Sequence, residues 1–262
     1  MCLIVFNWQP NNHRPLTLAA NRDEFHSRAS LDAHYWDDHP NIFAGRDLEK
    51  QGTWLGLSKN DKADTFRIAA LTNFRRIDPQ QYLHSRGEIT RYFLASEQTA
   101  LEYAQDISFS QYAGFNGLFF DGKSLVYCHH GVDAEPVIHT LNEGIYGLSN
   151  AKLDSPWPKS EKTKAAFQTL DKNGNHDIVA NQLFNILRDD TQADDCLLPD
   201  TGIGIEFEKL LSPAFIISPS YGTRTSSVVI INQESNKQTA YFKERQFSNK
   251  GENIREQSKE LN

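Results

Sequence analysis

The chain is expected to fold as an α+β unit in which strands dominate and helices cluster mid-chain. Three observations predict this. Apolar, β-rich runs recur from the amino terminus to about residue 247. Segments between about residues 85 and 190 instead carry the length and period of helices. Strands, then helices, then more strands favour one layered α+β domain over two domains. That domain is placed at 1–247. A polar, charged tail over 248–262 is expected to be flexible.

CLIVFNW (2–8) is apolar on both faces at its start, as a strand covered on two sides would be. QPNNHRP supplies turn formers, and LTLAA returns as a second strand. If Trp8 faces Pro15, Cys2 falls opposite Asn21, at the start of NRDE (21–24). Further strands are expected at TWLGLSK, FRIAALTNF, FNGLFF, SLVYCHH, GIYGLSN, FIIS, SSVVIIN and QTAYFKERQF. DGK is a hairpin turn between two of them. SRGEITRYFLASEQTALEYAQ reads as one or two helices, and KSEKTKAAFQTL and HDIVANQLFNILRDD as two more. DDTQADDCLLPDTGIG reads as a loop.

The formal net charge is −7 over 262 residues, and no basic cluster breaks the pattern. Nucleic acid and anionic membrane surfaces are therefore poor partners. Three scattered cysteines, Cys2, Cys128 and Cys196, do not make a disulfide framework and fit a reducing compartment. No integral membrane segment is expected, because no run approaches roughly 18–20 apolar residues. With no export signal, the expected location is cytoplasmic. No metal centre is expected either. DKNGNHD, from Asp171 to Asp177, has glycine fourth where a calcium loop needs it sixth, and Gln182 stands where glutamate belongs. It reads as a turn before a helix. His129 and His130 are adjacent on a strand and point to opposite faces.

Cys2 follows only a removable methionine. Trimming would leave a thiol and an α-amine on one residue. Their ordinary pKa values, about 8.5 and about 7.7–8.0, are matched closely enough for the amine to act as the base. In NRDE, Arg22 beside Cys2 would favour the thiolate, and Asp23 could hold the protonated amine. Asn73 and Asn150 each end an apolar run and could stabilise an oxyanion. Arg224 precedes a strongly apolar strand and could meet a substrate carboxylate. Taken singly, each of these positions also has an ordinary structural explanation.

Together they resemble the NRDE family, also called the transport and Golgi organisation protein 2 family. The matching stretches are MCLIVF, NRDEF, AGRDLEKQGTWLG, LTNFR, SRGE, GLSN with LDSPWPK, LPDTGI and YGTRTSSV. They run in family order from position 1 to about 230. That family in turn resembles the N-terminal-nucleophile cysteine hydrolases, the branch of penicillin V acylase and bile-salt hydrolase. The resemblance implies a four-layer αββα sandwich. It carries catalytic roles to Cys2, Arg22, Asp23, Asn73, Asn150 and Arg224. In that branch two residues separate the arginine and the aspartate, whereas Arg22 and Asp23 are adjacent, so Asn21 and Glu24 are alternatives for one role.

Two activities follow from the resemblance. One is hydrolysis of an amide, ester or thioester through acyl-Cys2, which requires no cofactor. The other is carriage of haem in the same cleft without turnover, with propionates on Arg22, Arg46 or Arg224. The partner is then a small-molecule substrate or haem. The sequence leaves open which of the two applies.

Overall fold

The computed structural model describes residues 2–60, 62–131, 135–170, 174–235 and 237–262. The strands in chain order are β1 (Cys2–Trp8), β2 (Leu16–Phe25), β3 (Ser30–Tyr35), β4 (Ile42–Asp47), β5 (Leu55–Asn60) and β6 (Thr65–Asn73). After them come β7 (Phe115–Phe120), β8 (Leu125–His130), β9 (Val137–Thr140), β10 (Gly144–Leu148), β11 (Tyr221–Glu234), β12 (Lys237–Phe247) and β13 (Asn253–Leu261). The helices are α1 (Arg86–Ala95), α2 (Ala100–Asp106), α3 (Pro158–Gln168), α4 (His176–Leu187) and α5 (Ile205–Leu210). The strands form two antiparallel sheets, so the chain is a sheet-dominated α+β fold. One sheet has the order β10-β1-β2-β11-β12-β13, the other β3-β4-β5-β6-β7-β8-β9.

Strand alternation explains how these parts stack. Ile4, Phe6 and Trp8 of β1 join Leu57, Ile68, Leu118 and Phe120 in a core between the sheets. Leu3 and Val5, the intervening residues, face the other way and pack with Phe167 of α3 and Leu183 and Phe184 of α4. A third core sets Ile89 and Phe93 of α1 and Tyr103 of α2 against Ala69, Phe119 and Val126. β1 is therefore apolar on both faces because both faces are covered. Among the described residues, no helix is long and apolar enough to cross a membrane.

Several expectations are corrected. The β1–β2 register is one residue from the expected one: Trp8 pairs with Leu16 and Cys2 with Arg22. The segment expected to be a free polar tail contains β13, paired along β12 from Phe247 to Ala240. Its polarity is that of a solvated edge strand, and its residues are mostly exposed. FIIS is irregular: the Phe215 N–H donates to the Asp189 carbonyl, and Ile216 bonds to Thr223 through both backbone groups. The expected loop over 189–204 is irregular apart from a single 3-10 turn at Asp195–Leu197, and it ends where the unexpected short helix α5 begins at Ile205. DGK forms the β7–β8 turn, with Gly122 at φ 96°, which glycine adopts without strain. Of the turn expected over 171–177, Asp171, Lys172 and Asn173 lie outside the described residues; α4 begins after Asn175, whose side chain accepts from Asp177 N–H.

Candidate functional site: a polar cleft at the open end of the first hairpin

Opposed residues of an antiparallel pair project to the same face, so Cys2 and Arg22 both face the gap between the sheets. There the apolar core gives way to a cleft of about 140 Å³. Its walls include Cys2, Arg22, Asp23 and Glu24 from the hairpin, Arg28 and Asp47, Thr53 and Trp54, Asn73, and Ser85 to Gly87 at the start of α1.

Arg22 is buried, with its guanidinium 4.2 Å above the Trp54 ring and 3.7 Å from carboxylate oxygens of both Glu24 and Asp47. Its Nη1 has no hydrogen-bond partner among the described residues. Burial pulls Arg22 below the ordinary guanidinium value, and the charges of Glu24, Cys2 and Asp47 oppose that. Arg28 braces the wall by pairing with Asp47 and, at 3.3 Å, with Glu49. Arg86 donates through Nη1 to the Gly114 carbonyl at 3.1 Å.

Burial pushes the Cys2 thiol up, and the Asp23 carboxylate pushes it the same way. Arg22 and the Asp23 backbone N–H pull it down by favouring the thiolate. Asp23 follows Arg22 on the strand, so its carboxylate turns to the helix side. It accepts a 2.6 Å hydrogen bond from the Thr223 hydroxyl, and its backbone carbonyl accepts one from Tyr221 at 3.0 Å. Burial raises the Asp23 carboxyl, while Lys159 and the Thr223 bond lower it.

Of the remaining expected residues, Asn73 and Glu24 border the cleft. Asn150 stands behind it, buried, with Nδ2 donating to the Asn73 carbonyl at 2.8 Å. Its neighbour Ser149 donates to the Cys2 carbonyl at 3.2 Å, which ties the end of β10 to the start of β1. Arg224 emerges at the β11 irregularity between Thr223 and Thr225 and donates to the Arg28 carbonyl, off the cleft wall. Asn21 is not brought to the cleft. Its amide donates to Leu187 and Ala214 carbonyls at 2.9 and 2.7 Å, and its carbonyl accepts from Ser226 at 2.5 Å. Arg46 is also elsewhere, paired with both Asp38 oxygens at 2.6 Å and stacked on Trp36.

Sequence reasoning assigned no role to Arg28, Asp47, Trp54, Arg86 or Lys159. Four of them lie in stretches already quoted for the family resemblance: Asp47 and Trp54 in AGRDLEKQGTWLG, Arg86 in SRGE, and Lys159 in LDSPWPK. His129 and His130 end β8, and His129 is buried with Nδ1 3.1 Å from the side-chain oxygen Oδ1 of Asn116. Among the described residues, no group of three or more His, Cys, Asp or Glu side chains is placed to hold a metal ion.

A thiol beside a guanidinium, with amide groups close by, can hold a thiolate or an oxyanion. The comparisons with known proteins agree on the lineage of this arrangement. The family model described as Transport and Golgi organisation 2 matches residues 1–249. The Transport and Golgi organization protein 2 homolog of Homo sapiens is 34% identical over 257 residues, covering 89% of this chain and 90% of that protein. The Mus musculus homolog is 32% identical over 254 residues, 88% of this chain and 89% of its own length. The Drosophila melanogaster protein is 28% identical over 259 residues, 90% of this chain and 89% of that one. With the match spanning both sheets and every wall of the cleft, the chain belongs to the Transport and Golgi organisation 2 family.

Proposed function

We propose that this chain is a cysteine hydrolase of the N-terminal-nucleophile type, a four-layer αββα sandwich that cleaves an amide, ester or thioester through acyl-Cys2. The stacking of two helix-facing cores on either side of an inter-sheet core supports the architecture. The observation that carries the chemistry is the position of Cys2. Its thiol lies in a polar cleft across from Arg22, whose Nη1 is buried and unpartnered among the described residues.

Removal of Met1 leaves the amine on Cys2 itself. Burial keeps the resting thiol protonated. An amine titrating near 7.7–8.0 is mostly protonated at neutrality, and its free-base fraction, roughly a tenth to a fifth at pH 7, accepts the thiol proton. The sulfur attacks the acyl carbon as the amine takes the proton. Arg22 and the Asn73 amide face the oxygen on which charge develops. The amine returns the proton to the leaving group, and water then releases the acyl group by the same steps in reverse order. The cleft volume of about 140 Å³ suits a small acyl group. Haem in this cleft fits less well, since pockets for drug-sized ligands hold roughly 300–1,000 Å³.

A panel of short acyl thioesters, esters and amides tests the reading. The wild type should turn over at least one class, with an acyl adduct on Cys2 in rapid-quench mass spectra. Cys2→Ala should lose turnover. Equal turnover in Cys2→Ala and wild type would sink the proposal, as would an unacylated Cys2 during steady turnover.

A further inference from the structure

The hydrolase steps above make no use of α1. Yet Ser85, Arg86 and Gly87, at the amino-terminal end of this ten-residue helix, line the same cleft of about 140 Å³ as Cys2 and Arg22. Direct contacts hold the two sides together. The Arg22 guanidinium lies on Trp54 at 4.2 Å, and the adjoining Thr53 donates its N–H to the Gly87 carbonyl at 3.2 Å. The Thr53 carbonyl accepts from the Thr90 hydroxyl of α1 at 2.5 Å.

The first turn of a helix leaves N–H groups without intrahelical partners. In α1 the Glu88 N–H donates to the Ser85 carbonyl at 2.9 Å. The Glu88 carboxylate turns back to the Ser85 N–H at 3.2 Å and to His84 at 3.1 Å. The Arg86 and Gly87 N–H groups have no partner among the described residues. The half-buried Arg86 side chain stands beside them. Among the described residues it makes one hydrogen bond, from Nη1 to the Gly114 carbonyl, and no ion pair, so Nε and Nη2 are unused. The other cations of the cleft are answered: Arg28 pairs with Asp47 and Glu49, and Arg22 lies 3.7 Å from both Glu24 and Asp47. A second, independent sign of a ligand is the buried Arg22 Nη1, unpartnered among the described residues. The cleft thus offers one guanidinium to an oxygen beside Cys2 and another, with two backbone N–H groups, to an anion at α1.

We propose that the acyl group cleaved at Cys2 is a short one that ends in a carboxylate, held by the Arg86 side chain and the first N–H groups of α1. The inference rests on the hydrolase reading, which sets the scissile carbonyl at Cys2 and Arg22. An arginine fork matches a carboxylate in geometry, and one negative charge matches the one unanswered cation. A phosphate dianion fits worse, since its second charge would face Glu24 and Asp47 across the same cleft.

The experiment compares two alkylating probes on the Cys196→Ser protein: bromoacetyl-β-alanine, which carries a carboxylate, and its neutral N-methyl amide. The ratio of their rates at Cys2 is read against the same ratio for N-acetylcysteine amide in solution. A change in thiol acidity moves both rates together, so the ratio reports recognition of the carboxylate. The wild-type ratio should exceed the reference by about tenfold, the worth of one charge-assisted hydrogen bond. Arg86→Met should remove most of that preference, and Arg86→Lys should keep part of it. A wild-type ratio equal to the reference overturns the proposal, as does a preference unchanged in Arg86→Met. If Arg86→Met fails to fold, competition in the Arg86-containing protein answers. Glutarate should slow labelling by the neutral probe, inorganic phosphate less so, and pentane-1,5-diol not at all. No protection by glutarate, equal protection by the diol, or stronger protection by phosphate contradicts the proposal. Neither readout needs turnover, so failure here is separable from failure of the hydrolase reading, which is decided by turnover in Cys2→Ala.

Discussion

Arg22 and Asp23 are neighbours in sequence, yet the strand sends them to different layers. Arg22 works at the cleft with Trp54, and Asp23 works under the helices with Thr223. Both can serve one cysteine because Cys2 stands at the end of β1, where side-chain and backbone contacts from either layer converge. Removing the Arg22 charge should therefore push the Cys2 thiol higher. Arg22→Gln is expected to slow Cys2 alkylation about tenfold at neutral pH, read from rates across pH in the Cys196→Ser protein. Asn21 behaves differently. Asn21→Ala strands two carbonyls and a hydroxyl, and should cost about 2–4 kcal/mol in urea denaturation while the Cys2 alkylation midpoint stays put. Residue types and their order were legible: Cys2, Arg22, Asp23, Glu24 and Asn73 do meet at one cleft. The placement of Asn21 and Arg46 was not, because an exposed-looking polar residue says nothing about which carbonyl or carboxylate will claim it.

At the scale of elements, the limits of sequence reading have physical causes. The apolar β1 and β2 runs fixed a hairpin, but turn chemistry left its register open by one residue, and one residue flips every side chain. β3 and β13 carry the mixed polarity of edge strands and lack a strong apolar period. α5, six residues long, is too short to show a helical repeat. The contact of the β4–β5 connection with α1 is also invisible in sequence. A Cβ on Gly52 would lie 2.4 Å from the Gly87 carbonyl carbon, whereas one on Gly87 would find its nearest neighbours at 3.3 Å. Gly52→Ala should cost about 3 kcal/mol and Gly87→Ala distinctly less, measured by the same denaturation. The Gly52 change should also disturb the cleft, since Thr53 N–H bonds the Gly87 carbonyl beside it.

Across the whole molecule, the gap between the sheets changes character from end to end. At one side it is apolar; towards the β3 and β13 edges it holds Glu244, buried and accepting from Ala33 N–H, Gln257 and Ser227. Burial pushes the Glu244 carboxyl up to about 7 from an ordinary 4.5. The raised folded-state value means the folded chain holds a proton that the unfolded chain has released. Stability from this group is complete below about pH 4.5 and is lost as pH rises towards 7. Relative to Glu244→Gln, the wild type should lose on the order of 3 kcal/mol across that window, seen by denaturation at several pH values. A pH-independent difference would contradict this assignment.

The central claim concerns the cleft at the open end of the first hairpin, where Cys2 meets Arg22. Cys196 is exposed and would take up any electrophile, whereas Cys128 is buried with its thiol pushed up to about 12. Intact-mass spectrometry of the Cys196→Ser protein, with and without an electrophilic acyl probe, is the most direct test. The account predicts a chain that begins at Cys2 and gains one probe mass there, lost in Cys2→Ala. A retained Met1, or a Cys2 that stays unlabelled, would contradict it.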